Sequence, residues 1–184
     1  MKIGRIRPVP LAVLVAGVIA LGASAAGAHV EVIPDTAPKG GSEILSFSVP
    51  NEEPSANTVK VEVDLPPRSP IASVSTRPMP GWTVAVEKTK LAKPIQSDDG
   101  EVTEAVTKIT WTATADGLQP GEFDLFTISA GPLPTNTGKL VFKAIQTYSD
   151  GTTVNWIEPT VKGAPEPQHP APVLTLTKAA AAHG

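Results

Sequence analysis

Apolar and charged side chains alternate along Thr58-Val-Lys-Val-Glu-Val-Asp-Leu65. Successive side chains of a β-strand point to opposite faces of a sheet, so this pattern predicts a strand with one buried and one solvated face. The residues expected on the buried face are Val59, Val61, Val63 and Leu65. Pro66-Pro67 ends the strand, because proline has no N–H to donate to a sheet ladder.

Similar strand patterns recur through the body of the chain. Segments 43–49, 82–86 and 107–112 alternate in the same way, whereas the more continuously apolar run 123–129 is expected to be buried on both faces. Asp150-Gly151 is a tight-hairpin signal between two such runs. About eight or nine short strands without helices predict an all-β protein with an antiparallel immunoglobulin-like β-sandwich.

The first 28 residues have the three zones of an export signal. Basic residues precede an apolar run at 11–21, and Ala26-Gly27-Ala28 supplies the small residues that signal peptidase reads. The run is shorter than the roughly 20 residues that span a bilayer, so a cleaved signal is favoured over a retained anchor. Cleavage after Ala28 makes His29 the new N-terminus, whereas the alternative cleavage after Ala25 leaves His29 internal.

The composition disfavours several classes of function. The chain has 15 basic and 18 acidic residues and no basic stripe, so a nucleic-acid partner is not expected. It has no cysteine, which excludes a disulfide framework and thiolate sites for copper(I) or zinc. Of its three histidines, His169 and His183 lie in a Pro- and Ala-rich tail. A hydrolase that needs a histidine beside its nucleophile is therefore disfavoured.

A terminal His29 carries two nitrogen donors on one residue. The α-amino group has a reference pKa of about 7.7–8.0, so it gives up its proton to a metal more readily than lysine does. The amine and the imidazole Nδ1 can close a chelate ring on one ion. Two nitrogens in a plane, completed by a carboxylate or water, match the tetragonal preference of copper(II). The alternative is that His29 is an ordinary frayed terminus.

Five motifs occur in order between His29 and Pro159. They are His29-Val-Glu-Val-Ile-Pro34, Phe47-Ser-Val-Pro-Asn-Glu52, Gly81-Trp82, Leu118-Gln-Pro-Gly-Glu-Phe123, and Tyr148-Ser-Asp-Gly-Thr-Thr-Val-Asn-Trp156 followed by Glu158-Pro159. Together they resemble the YcnI-like family of secreted copper-binding domains, over nearly all of the predicted body. The resemblance implies an immunoglobulin-like sandwich that binds copper(II) through a mono-histidine brace.

The resemblance also implies which residues hold the ion. It assigns the terminal amine and imidazole to His29, an oxygen ligand to Glu52, and a place beside the metal to Trp156. Glu53 is less favoured than Glu52, because neighbours on an extended chain point in opposite directions. Glu158 lies two residues from Trp156 and is a second-choice carboxylate.

The expected organisation is a signal peptide at 1–28, a copper-binding β-sandwich at 29–162 and a Pro/Ala-rich tail at 163–184. Within the tail, Val173–Thr177 is expected to form a last edge strand. The histidines of the tail are set aside as ligands, because a flexible segment must be ordered before it contributes to binding. The tail contains no apolar run of spanning length. We therefore expect a secreted or wall-associated protein without a C-terminal membrane helix.

The leading hypothesis is an extracytoplasmic copper(II)-binding protein that acts in copper acquisition, delivery or homeostasis. The resemblance implies a membrane copper transporter or another extracytoplasmic copper carrier as partner. The alternative is a metal-independent secreted interaction module, since sandwiches serve many functions. A copper oxidase that attacks polysaccharides is disfavoured, because its brace takes two histidines and the expected body contains one. A binding protein is therefore expected, not an enzyme.

Overall fold

The computed structural model describes residues 29–97 and 100–179. The expected export signal, His183 and the centre of the 96–100 turn lie outside these residues. Within them the chain forms twelve strands and no helix. The strands are β1 (Glu31–Ile33), β2 (Thr36–Pro38), β3 (Glu43–Pro50), β4 (Thr58–Asp64), β5 (Ser73–Thr76), β6 (Trp82–Ser97), β7 (Gly100–Ala113), β8 (Phe123–Gly131), β9 (Lys139–Val141), β10 (Lys143–Tyr148), β11 (Thr153–Trp156) and β12 (Val173–Thr177).

The strands form three sheets around one hydrophobic core. The orders are β1-β3-β8-β5, β11-β10-β4-β7-β6 and β2-β12-β9. Every pair is antiparallel except β2 and β12. One cluster of buried apolar side chains draws on all three sheets, with Phe47, Trp111 and Phe142 among its largest members. The predicted all-β antiparallel class is confirmed. No helix in the described part of the chain is long and apolar enough to cross a membrane.

Strand β4 follows the predicted alternation except at its start. Val61, Val63 and Leu65 are buried as expected, but Thr58 takes the first core position and Val59 does not. The ladder between β4 and β10 shifts register at this point, so that Val59 has no partner opposite it. A bulge of this kind reverses the faces of the residues before it. The expectation that Val59 is a core residue is therefore wrong.

Strand β8 is not buried on both faces along its whole length. Phe126 and Ile128 are fully buried, but Phe123 is 66% and Leu125 is 43% exposed. The exposed pair points away from the core, because successive side chains alternate between the two faces of a strand. The expectation for 123–129 is thus wrong for its first half, which leaves an apolar face on the surface.

Strand β12 lies in the segment that composition assigned to a tail. The prediction of a strand at Val173–Thr177 is confirmed, but its expected edge position is wrong, because β12 pairs with both β2 and β9. Leu174 and Leu176 are buried in the common core. The proline-rich segment before β12 is therefore tied to the body at both ends, which brings His169 close to the sheets.

Candidate metal centre

The position of His29 is set by the strand that follows it. Val30 and Val32 are buried in the core, and β1 pairs with β3 through Glu31 opposite Ser48. The imidazole of His29 is partly exposed, with 26% of its side-chain surface accessible. Because the backbone is fixed one residue later, His29 lies at a defined place at the edge of the sandwich.

The loop that carries Glu52 is held by a buried asparagine. The side-chain amide of Asn51 donates to the carbonyl oxygens of Ala56 and Leu118, each at 2.9 Å, and its Oδ1 accepts the N–H of Glu53 at 3.0 Å. Asn51 is 1% exposed, and the two bonds that its amide donates are buried, whereas the bond from the N–H of Glu53 is partly buried. Such internal bonds give this acidic loop, residues 51–57, a fixed course although Glu52 itself is exposed.

Trp156 is brought to the site by the hairpin predicted at Asp150-Gly151, which joins β10 and β11. Its ring is buried, and its Nε1 donates a hydrogen bond of 3.2 Å to Oε1 of Gln146 on β10. Trp156 is therefore a core residue, and only 7% of it is exposed.

The structure brings the three expected site residues together. The imidazole of His29 packs against the indole of Trp156 with ring centroids 5.8 Å apart in an edge-on arrangement. His29 and Glu52 line one cleft of about 570 Å³, which we call the His29 cleft. Glu52 and Trp156 line a neighbouring pocket of about 140 Å³, the His169 pocket. Glu53 also lines both spaces.

Two histidine–glutamate pairs flank the indole. Nδ1 of His29 lies 3.4 Å from Oε1 of Glu166, and Nδ1 of His169 lies 3.4 Å from Oε1 of Glu158. The ring of His169 packs edge-on against Trp156 with centroids 5.3 Å apart. The second-choice carboxylate Glu158 thus belongs to His169, and Glu166 is a carboxylate near His29 that the sequence did not indicate.

Acidic side chains dominate the electrostatics of this region. Four glutamates line the His29 cleft, and none of the described residues around it is a lysine or arginine. They are Glu31, Glu52, Glu53 and Glu122. Burial, together with the carboxylates of Glu53 and Glu52, raises the pKa of the nearby Tyr148 to about 12. A surface of this sign attracts cations and repels anions.

The side chains alone make an incomplete metal site. Across residues 29–97 and 100–179, no three histidine, aspartate or glutamate side chains converge closely enough to hold an ion. A free α-amino group at His29 would add a nitrogen donor that belongs to the backbone and not to a side chain. Nitrogen and oxygen ligands lie about 2.0–2.2 Å from a first-row ion such as zinc, so Nδ1 of His29 and Oε1 of Glu166, which are 3.4 Å apart, have a spacing that suits one ion. The donor set therefore fits a small divalent cation when His29 is terminal.

Sequence reasoning missed three residues of this region: Gln146, Glu166 and His169. His169 was set aside with the tail histidines, and Glu166 lies in the same proline-rich segment. The apolar alternation of β12 signalled that this segment returns to the core. Gln146 lies on a strand that alternates regularly, and a polar residue on the buried face of such a strand is a signal of an internal hydrogen-bond network.

Comparison with known proteins identifies relatives over most of this chain. The chain is 33% identical over 131 residues to the copper-binding protein CutI of Bacillus subtilis (strain 168), a match that covers 71% of this chain and 56% of that protein. The chain thus matches little more than half the length of this curated relative. It is also 39% identical to a Nocardia farcinica protein whose crystal structure shows an immunoglobulin-like fold. That similarity has a TM-score of 0.67 and covers 83% of this chain and all of the other.

The similarity to the Nocardia farcinica structure confirms the immunoglobulin-like sandwich predicted from the strand pattern. Residues 29–176 also match a family described as a domain of unknown function, DUF1775, and this match includes strand β12. The chain therefore belongs to the DUF1775 family, and its resemblance to YcnI-like domains is confirmed.

Proposed function

We propose that this protein is an extracytoplasmic copper(II)-binding protein that acts in copper acquisition, delivery or homeostasis. The observation that carries the proposal is the contact between His29 and Trp156, with ring centroids 5.8 Å apart, beside a cleft lined by Glu52. These residues come from three separate motifs of the sequence and meet at one place. Copper is the cargo of this site, not a catalytic cofactor, and the role is one of binding and not of catalysis.

The identity of the ion is supported from two sides. The relative from Bacillus subtilis is named a copper-binding protein, and the present chain is 33% identical to it. Nitrogen donors from one imidazole and one amine, with a carboxylate oxygen, are the set that copper(II) accepts in tetragonal geometry. The absence of cysteine from the sequence removes the thiolate ligands that copper(I) prefers.

In the proposed site, His29 supplies the terminal amine and Nδ1, and Glu52 supplies an oxygen. This requires removal of residues 1–28, so the proposal includes export and cleavage after Ala28. Trp156 packs beside the imidazole and limits the approach of water from that side. The C-terminal segment closes the other side through Glu166, whose Oε1 lies 3.4 Å from Nδ1 of His29.

The position of the site supports exchange with a partner. His29 and Glu52 belong to an exposed acidic cleft, so a second protein can reach the ion without unfolding this one. A membrane copper transporter or another extracytoplasmic copper carrier is the proposed partner. A basic rim on that partner would complement the four glutamates of the His29 cleft.

The experiment begins with protein exported and cleaved in a secreting host, with its first residue established by mass spectrometry. One equivalent of copper(II) is expected to give a type-2 paramagnetic resonance spectrum with nitrogen hyperfine structure. His29→Ala, and a version that retains one extra residue before His29, should each change that spectrum, because neither keeps a terminal amine and an imidazole on one residue. Native protein that begins upstream of His29, or a spectrum unchanged in both variants, would refute the proposal.

A metal-independent interaction module is the second candidate, and one observation favours it. Phe123 and Leu125 are exposed on β8 and line a groove of about 540 Å³ with Arg77 and Met79. Such a module would be indifferent to copper(II) and would tolerate extra residues before His29. The same extended version therefore separates the two candidates.

A further inference from the structure

His169 is part of the folded body, although its sequence context is a proline-rich segment. The carbonyl oxygen of His169 accepts the N–H of Glu158 at 3.0 Å, and the carbonyl oxygen of Glu158 accepts the N–H of Ala171 at 2.9 Å. Ala171 is buried, and the side chain of His169 is 33% exposed. The segment that carries His169 is thus already ordered in the folded protein, so binding an ion there does not have to order it.

The surroundings of His169 are those of a cation ligand. Its Nδ1 lies 3.4 Å from Oε1 of Glu158, and its ring packs against Trp156. The His169 pocket, of about 140 Å³, is also lined by Glu52 and Glu53. The pocket opens beside the imidazole of His169, whereas Glu158 is not among the residues that line it.

The His169 pair is separate from the pair formed by His29. Each imidazole has its own carboxylate, and the Trp156 indole packs against both rings. An ion held by His169 and Glu158 therefore does not compete with His29 for a ligand.

We propose that His169 and Glu158 form a second copper(II) site, next to the one at His29. One imidazole nitrogen and one carboxylate oxygen come from the protein, and water completes the coordination. The choice of ion rests on the proposed function. The second site binds more weakly than the first, because it has no chelate ring from an amine and imidazole of one residue.

The shared acidic loop gives this second site a role in exchange. Glu52 and Glu53 border both the His29 cleft and the His169 pocket, so an ion leaving one site meets the same carboxylates as an ion entering the other. A second site within reach lets copper(II) leave His29 stepwise. The partner then takes the ion from the weaker site.

The test is a calorimetric and paramagnetic resonance titration of the cleaved protein with copper(II) alone. The wild type is expected to bind two equivalents, one tight and one at least about tenfold weaker. His169→Phe keeps an aromatic edge against Trp156 but removes the nitrogen, and it should bind the tight equivalent only. Glu158→Gln keeps the size of the side chain and the backbone hydrogen bonds of residue 158, and it should weaken binding of the second equivalent about tenfold.

Two further variants show which residues bind each of the two copper(II) ions. His29→Ala should lose the tight equivalent and keep the weaker one, and His183→Ala should keep both. One equivalent in the wild type, two in His169→Phe, or none in His29→Ala would overturn the second site. If His29→Ala instead retains both equivalents while His169→Phe loses one, the second site stands and the proposed function at His29 fails.

Discussion

Nε1 of Trp156 donates a hydrogen bond of 3.2 Å to Oε1 of Gln146 in the interior of the protein. Nε2 of the same glutamine donates to the carbonyl oxygen of Pro50 at 2.8 Å and to Oγ1 of Thr58 at 2.7 Å. Pro50 and Thr58 flank the acidic loop, residues 51–57. One buried side chain thus connects the tryptophan of the candidate centre to both ends of the loop that carries its carboxylates.

Gln146→Leu is expected to lower the free energy of unfolding by about 2–3 kcal/mol, because it leaves the indole N–H and two oxygens without their partner. Urea denaturation followed by circular dichroism measures the loss. Gln96→Leu is the matched control, since Gln96 makes an exposed hydrogen bond to Glu101 on the β6–β7 hairpin. The control should change stability by less than about 0.5 kcal/mol. Equal effects of the two variants would contradict a structural role for Gln146.

Gly117→Ala should be destabilising by about 2 kcal/mol or more, since two penalties combine there. Gly117 has φ +74°, and a Cβ at this position would overlap the carbonyl oxygen of Thr58. That oxygen accepts the N–H of Leu118 at 3.0 Å and fixes the end of the acidic loop. Gly121→Ala is the control, because its φ is +82° but a Cβ there meets open space. It should cost only the backbone strain, about 1 kcal/mol, and thermal denaturation of both variants gives the difference.

The part of the fold that depends on local pattern was predictable from the sequence. Strand β4 was identified from its alternation, and the hairpin before Trp156 from Asp150-Gly151, because both signals are properties of neighbouring residues. The bulge at Val59 was not predictable, since it depends on the register of β10, which is distant in sequence. The exposed apolar start of β8 likewise depends on which faces the other sheets cover.

The candidate site likewise has residues that the sequence predicted and residues that only the fold reveals. His29, Glu52 and Trp156 were named from motifs, and the structure brings them together. His169 and Glu166 were missed, because their proximity to the site depends on where β12 inserts. Composition describes the proline-rich segment as a spacer, but only long-range packing shows that it lies against Trp156.

Tyr148 gives the protein a specific sensitivity to high pH. Burial and the neighbouring carboxylates of Glu53 and Glu52 raise its pKa to about 12, above the value of about 10 that is usual for tyrosine. The folded state therefore holds this proton more tightly than the unfolded state does. Stability from this group is complete below pH 10 and is lost as the pH rises from 10 through 12.

The phenolate absorbance measures this titration directly, because Tyr148 is the sole tyrosine of the chain. Denaturation curves collected across pH 9–12 should show a decline in stability that is smaller in Tyr148→Phe. A tyrosine that titrates near pH 10 in the folded protein would show that the phenol is not shielded as the structure indicates.

The oxygen ligand of the proposed copper(II) site can be identified by comparing three glutamates. Glu52→Gln is expected to weaken the binding of the tightly held copper(II) ion by at least about tenfold, or 1.4 kcal/mol. Glu53→Gln removes the same charge from the same cleft, so it serves as the control for electrostatics alone. Its effect should be severalfold smaller, and the excess in Glu52→Gln is then the contribution of the ligand bond. Calorimetry on the cleaved protein provides the affinities.

Glu166 is the competing carboxylate, because its Oε1 is already 3.4 Å from Nδ1 of His29. Its side chain is 69% exposed, so binding an ion would cost it rotamer freedom that the fold has not already removed. Glu52 instead projects from a backbone fixed by Asn51 through hydrogen bonds at both ends of the loop. Glu166→Gln should therefore weaken the binding of copper(II) less than Glu52→Gln does. The reverse ranking would assign the oxygen to Glu166 and make the C-terminal segment, not the acidic loop, the second half of the site.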